Sequence, residues 1–67
     1  MAQYYKYIEG THVHFFKKSE NGVLHLNTTT VIMNVIKHSE FIDVAEEISK
    51  DEFERARLEI ETQMNII

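Results

Sequence analysis

Between Tyr4 and Lys37, runs of apolar and polar residues dense in aromatic and β-branched side chains are broken by Gly10 and by Asn21-Gly22, a pattern that predicts antiparallel strands. The first run, Tyr4 to Glu9, stops at Gly10. Val13 to Lys18 and Val23 to Thr28 flank Ser19-Glu20-Asn21-Gly22, and Asn-Gly between two such runs signals a hairpin. Thr29 to Lys37 is apolar on both faces, which predicts a more buried fourth strand. The layout expected from these runs is a meander.

After Ser49 the pattern changes. Ser49 and Glu52 form an S-x-x-E capping box, with Ile48 and Phe53 at the two positions of a hydrophobic staple, so a helix is predicted to start at Ser49. At about 100° per residue, Phe53, Ala56, Ile60, Met64 and Ile67 gather on one stripe that can cover one face of a sheet. Residues 40–48 fit two patterns. Phe41, Val44, Ala45 and Ile48 have helical spacing with Ser39 as a cap, whereas Ile42, Val44 and Ile48 alternate like a strand. The extended reading is preferred, because it leaves Ile48 as the residue preceding a fresh cap. The fold class expected is therefore α+β: an antiparallel meander of four to five strands with one C-terminal helix packed on one face.

Length limits what such a fold can do alone. The 67 residues make a single small domain, 1–67, and a chain this short buries only about 60% of the surface its unfolded form exposes. Small scaffolds compensate with disulfides, metals or self-association. There is no cysteine, which excludes disulfides and thiolate zinc sites. No apolar run approaches the roughly 18 residues of a membrane span, and the first residues do not read as a secretory signal, so a cytoplasmic location is expected.

The chemistry-bearing residues lie in the first half. Pairing the two central runs puts Val13, Phe15, Leu24 and Leu26 on one face and His12, His14, Phe16, Val23 and His25 on the other. An H-x-H pair plus a third histidine on the adjacent strand is a layout that can place three imidazoles around zinc, so His12, His14 and His25 are candidate metal ligands. The alternative is that histidines alternate with core residues because the pleat puts polar groups on that side. The segment Gly10 to Lys18 also resembles the first cupin motif, a glycine followed by H-x-H and then a glutamate. Gly10 and Glu20 stand at other distances, the second motif has no counterpart, and the chain is too short for a jelly roll, so that family is not assigned.

Charge is divided unevenly. Residues 1–39 carry four lysines against Glu9 and Glu20, while residues 40–67 carry nine acids against Lys50, Arg55 and Arg57. Tyr4, Tyr5, Tyr7, Phe15 and Phe16 beside Lys6, Lys17 and Lys18 allow a nucleic-acid reading, in which bases stack on an aromatic sheet face. The acidic second half opposes it, and nucleic acid is not the expected partner. No cysteine nucleophile, G-x-S-x-G or phosphate loop is present, so no enzyme and no cofactor are expected.

The apolar surface exceeds what one helix can cover. Val31, Met33 and Val35 lie on one side of the fourth run and Ile32 and Ile36 on the other, while Phe16 and Val23 add to the histidine face. Leu58 points about 140° from the helix stripe. Phe16, Val23, Ile32, Ile36 and Leu58 are thus candidate partner-interface residues. The function expected is a non-catalytic protein-interaction module, a small intracellular accessory or regulatory protein of bacterial or phage type. It self-associates, as a dimer, through the uncovered sheet face or an edge strand.

Overall fold

The computed structural model describes residues 1–65 and is an α+β fold, a five-stranded antiparallel sheet with one helix across it. Strands β1 (Gln3–Glu9), β2 (His12–Ser19), β3 (Gly22–Asn27) and β4 (Ile32–Ile36) follow one another as the expected meander. The chain then crosses the sheet through a 3₁₀ turn, Glu40–Val44, and returns as the short strand β5 (Glu46–Ile48), which pairs with β1 at the far edge. The strand order is β4-β3-β2-β1-β5. Helix α1 (Lys50–Met64) closes the described chain. Ile67, assigned by spacing to the apolar stripe of the helix, lies outside the described residues.

Each turn has a local cause. Gly10 adopts φ +60° in the two-residue loop between Glu9 and His12, a left-handed conformation open to glycine at little cost. In the second hairpin Ser19 pairs with Gly22, so the loop residues are Glu20 and Asn21, and the positive φ (+124°) falls on Gly22. A Cβ on Gly22 would meet the Ile36 carbonyl oxygen at 3.0 Å, so a close backbone approach requires glycine there as well. Between β3 and β4, the Asn27 Oδ1 accepts from the N–H groups of Thr29 (3.0 Å) and Thr30 (3.1 Å), an Asx turn. Val31 leaves that turn at φ +57°, a strained conformation for a β-branched residue.

Residues 40–48 contain both patterns read from the sequence. Ser39 caps the 3₁₀ turn, its Oγ accepting from the Phe41 N–H at 3.3 Å, and the chain becomes extended only at Glu46. The helix begins where the capping box predicts. Ser49 Oγ accepts from the Glu52 N–H at 3.1 Å, but Glu52 turns its carboxylate to Lys6 (3.7 Å) rather than back to the cap. Lys6 sits on β1 beneath the first turn of the helix, and an ion pair there replaces the second half of the box.

The sheet has two cores. On the helix side Phe15 and Leu26 pack with Phe53, Ala56 and Ile60, flanked by Tyr4, Val13, Leu24, Val31, Met33 and Ile48. The Tyr4 and Phe53 rings lie 5.3 Å apart. Met64, placed by spacing on the same stripe, is exposed in the last turn. On the opposite side Phe16, Val23 and Ile42 form a second core with Tyr5, Tyr7, Ile36 and Phe41. The crossing segment thus covers much of the face that α1 leaves open. No helix among the described residues is long and apolar enough to cross a membrane.

Candidate functional site

The strand registers bring the histidines together as the face assignment predicts. Phe16 pairs with His25, His14 with Asn27 and His25 with Asn34, so all of these side chains stand on the face opposite α1. His14 stacks near-parallel to Phe16 and to His25, and Phe41 of the crossing segment lies 5.4 Å from the His14 ring. Tyr7 stacks on Phe41 at 4.8 Å. Imidazoles and aromatic rings form one partly buried layer.

Hydrogen bonds run through this layer from strand to strand. The His14 Nδ1 and His25 Nε2 are 2.9 Å apart, and the His25 Nδ1 is 3.0 Å from Asn34 Oδ1 on β4. Across the other edge of β2, the His14 Nε2 faces Glu9 Oε1 of β1 at 3.5 Å. That nitrogen is buried and has no hydrogen-bond partner. His12 stands apart from this run: its Nδ1 accepts from the Asn27 Nδ2 at 3.3 Å. Burial lowers the pKa of His25, the hydrogen bond to Asn34 partly opposes the shift, and the neighbouring His14 adds to it.

His12, His14 and His25 are neighbours, but His14 and His25 spend their facing nitrogens on each other and His12 turns to Asn27. Among the described residues no group of three histidine, cysteine, aspartate or glutamate side chains is arranged to hold a metal ion. The aromatic residues named for base stacking do not form an open platform either. Phe15 and Phe16 are buried, one in each core, and the three tyrosines are half-buried.

The five candidate interface residues do not form one surface. Phe16 (1% exposed) and Val23 (2%) lie beneath Ile42, so the expectation that they lie open for a partner is corrected: the chain's own crossing segment occupies that place. Ile36 is half-buried in the same core. Leu58 (64%) is exposed on the helix, on the other side of the sheet. Ile32 (47%) is exposed on β4, where Val35 (74%) is exposed on the opposite face beyond the reach of the helix.

β4 is one edge of the sheet, the three-residue β5 being the other, and among the described residues no strand pairs with its outer side. Its sequence, Ile32-Met33-Asn34-Val35-Ile36, holds no charge, no proline and no glycine, so none of the usual devices that discourage strand pairing is present within it. A shallow cavity of about 190 Å³ beside it is lined by Lys17, Ser19, Leu24 and Val35. Glu9, Asn27, Asn34, Phe41 and Val35 were not among the candidate site residues read from the sequence. Face parity alone places Asn34 with the histidines, whereas Phe41 reaches them only through the crossing of residues 37–45.

Comparison with known proteins finds no similarity to build on: no family model matches the chain, and neither a curated protein nor a solved structure matches it.

Proposed function

We propose that this chain is a non-catalytic protein-interaction module that self-associates as a dimer through β4, joining two five-stranded sheets edge to edge. The reading includes a cytoplasmic location and an accessory or regulatory role. The observation that carries it is the free, uncharged edge of β4, with Ile32 exposed on one face and Val35 on the other.

The second copy is the occupant this edge suits best, because the strand is self-complementary. If two β4 strands pair antiparallel about a two-fold axis at Asn34, Ile32 of each falls opposite Ile36 of its partner on one face, and Met33 opposite Val35 on the other. The four pairs flanking the central Asn34–Asn34 pair are then apolar, and each contributes about 0.2–1 kcal/mol beyond the backbone hydrogen bonds. No charged residue lies within the strand, so no like-charge pair faces across the seam. A symmetric dimer would also enlarge the buried apolar surface of a domain of marginal size.

Sedimentation at tens of micromolar tests the reading with the wild-type chain and Val35→Lys. Val35 is mostly exposed, so the substitution leaves the fold intact. The expected result is a wild-type dimer and a variant monomer with the same circular dichroism. A monomeric wild type, or a variant that dimerises as well as the wild type, would refute it.

A further inference from the structure

Among the described residues, the Nε2 of His14 is the one buried side-chain nitrogen or oxygen without a hydrogen-bond partner. Its state follows from the far end of the chain of contacts. Asn34 Oδ1 can only accept, so the His25 Nδ1 carries a hydrogen. A neutral imidazole has one N–H, so the His25 Nε2 is an acceptor. The His14 Nδ1 must then donate to it across 2.9 Å. This leaves the His14 Nε2 with a bare lone pair aimed at the Glu9 carboxylate, 3.5 Å away, where two acceptors face each other.

We propose that Glu9, His14, His25 and Asn34 form a proton-binding site: one proton, taken at Nε2 of His14, completes an unbroken run of hydrogen bonds from β1 to β4, and a second proton enters only by breaking it. With the first proton in place His14 is an imidazolium that donates to Glu9 from Nε2 and to His25 from Nδ1. The only ring nitrogen still without hydrogen is then the His25 Nε2, and the His14 N–H already occupies it. A second proton must part the two rings and leave two imidazoliums whose centroids are 5.1 Å apart in the structure. The lowered pKa of His25 agrees with this order of occupation.

The groups around the pair are few. β1 contributes Glu9 and Tyr7, β2 His12 and Phe16, and β3 Asn27, while β4 contributes Asn34. The crossing segment contributes Phe41, and its acids Glu40 and Asp43 make no ion pair with either imidazole. Glu9 is the carboxylate within reach, and it comes from a different strand than either histidine. Proton uptake therefore ties β1 to the β2–β3–β4 layer, and a second proton loosens that layer. The device is a two-stage response to acid, built from contacts within one chain.

Nitrogen-15 NMR of the histidine rings in the full chain, from about pH 7.5 to about pH 5, tests it over the range where imidazoles titrate. At the upper end both His14 and His25 should be Nδ1–H tautomers. On acidification the His14 Nε2 should gain a proton while His25 stays neutral, and Glu9→Gln should displace that uptake to lower pH. Nε2–H tautomers at both residues in the neutral protein would overturn the proposal. So would simultaneous protonation of His14 and His25, or uptake unchanged in Glu9→Gln. Spectra recorded on Val35→Lys beside the wild type separate this result from the sedimentation test above, because that variant alters the proposed seam and none of the four residues of the site.

Discussion

Ile42→Ala probes the element that closes the histidine face. Ile42 is the buried residue of the 3₁₀ turn and packs on Phe16 and Val23, which are themselves almost fully enclosed. Removing its three outer carbons forfeits about 0.8 kcal/mol of transfer free energy per methylene-sized group, and the remaining void adds to that. The expected loss is about 2–4 kcal/mol, within the range of isoleucine-to-alanine changes in cores. A 67-residue domain has roughly 3–10 kcal/mol of stability in all, so the variant should be severely weakened. With a urea m-value near 1 kcal/mol/M for a domain this small, the midpoint should fall by about 2–4 M. Urea titration followed by far-UV circular dichroism measures this. A loss below about 0.5 kcal/mol, the size of an ordinary surface change, would show that the crossing segment is not packed on the sheet and that Phe16 and Val23 are open in solution.

Ser49→Ala removes the side-chain acceptor for the Glu52 N–H and should cost about 1 kcal/mol, read as a lower urea midpoint with an unchanged spectrum. The pKa of His25 is lowered in the fold from 6.5, so the unfolded chain binds more protons than the native one below that value. Its contribution to stability is complete above 6.5 and is lost as pH falls through the window down to its folded pKa; urea midpoints should show the wild type losing more over that window than His25→Gln, and equal losses would contradict the assignment.

Much of this architecture was legible because local patterns and tertiary packing agree. The four meander strands follow the aromatic and β-branched runs, although the fourth, expected to be the more buried one, is a largely exposed edge, and the parity of the β2–β3 hairpin separates Val13, Phe15, Leu24 and Leu26 from His12, His14, Phe16, Val23 and His25 as observed. The helix start followed from Ser49, whose hydroxyl makes half of the predicted box. The segment between Lys37 and Ile48 was not legible, for a physical reason. It is too short for periodicity to choose between helix and strand, and its conformation is set by what it packs on. Ser39 caps a turn whose Ile42 seals Phe16 and Val23, on two strands of the meander far earlier in the chain, and β5 pairs with β1, the most distant strand in sequence. Such non-local contacts leave no local signature.

The same limit applied to the candidate site. Three histidines on one face were correctly grouped, but their partners come from three other places: Glu9 on β1, Asn34 on β4 and Phe41 on the crossing segment. Once those partners are in place, the His14 Nδ1, both His25 nitrogens and the His12 Nδ1 are committed to one another and to asparagines, which leaves the His14 Nε2 facing Glu9. Phe16 and Val23 looked like surplus apolar surface only while the covering segment was unassigned.

Amide hydrogen exchange at β4, measured as a function of protein concentration, tests the central claim most directly. If two copies join through this edge, the outward-facing amides of Ile32–Ile36 should become protected as concentration rises from about 1 μM to about 100 μM, a span across which a micromolar dimer fills. Amides of β2, which is paired on both sides within one chain, should show no such added protection from pairing at the seam. Exchange at β4 that stays fast and independent of concentration would contradict the account.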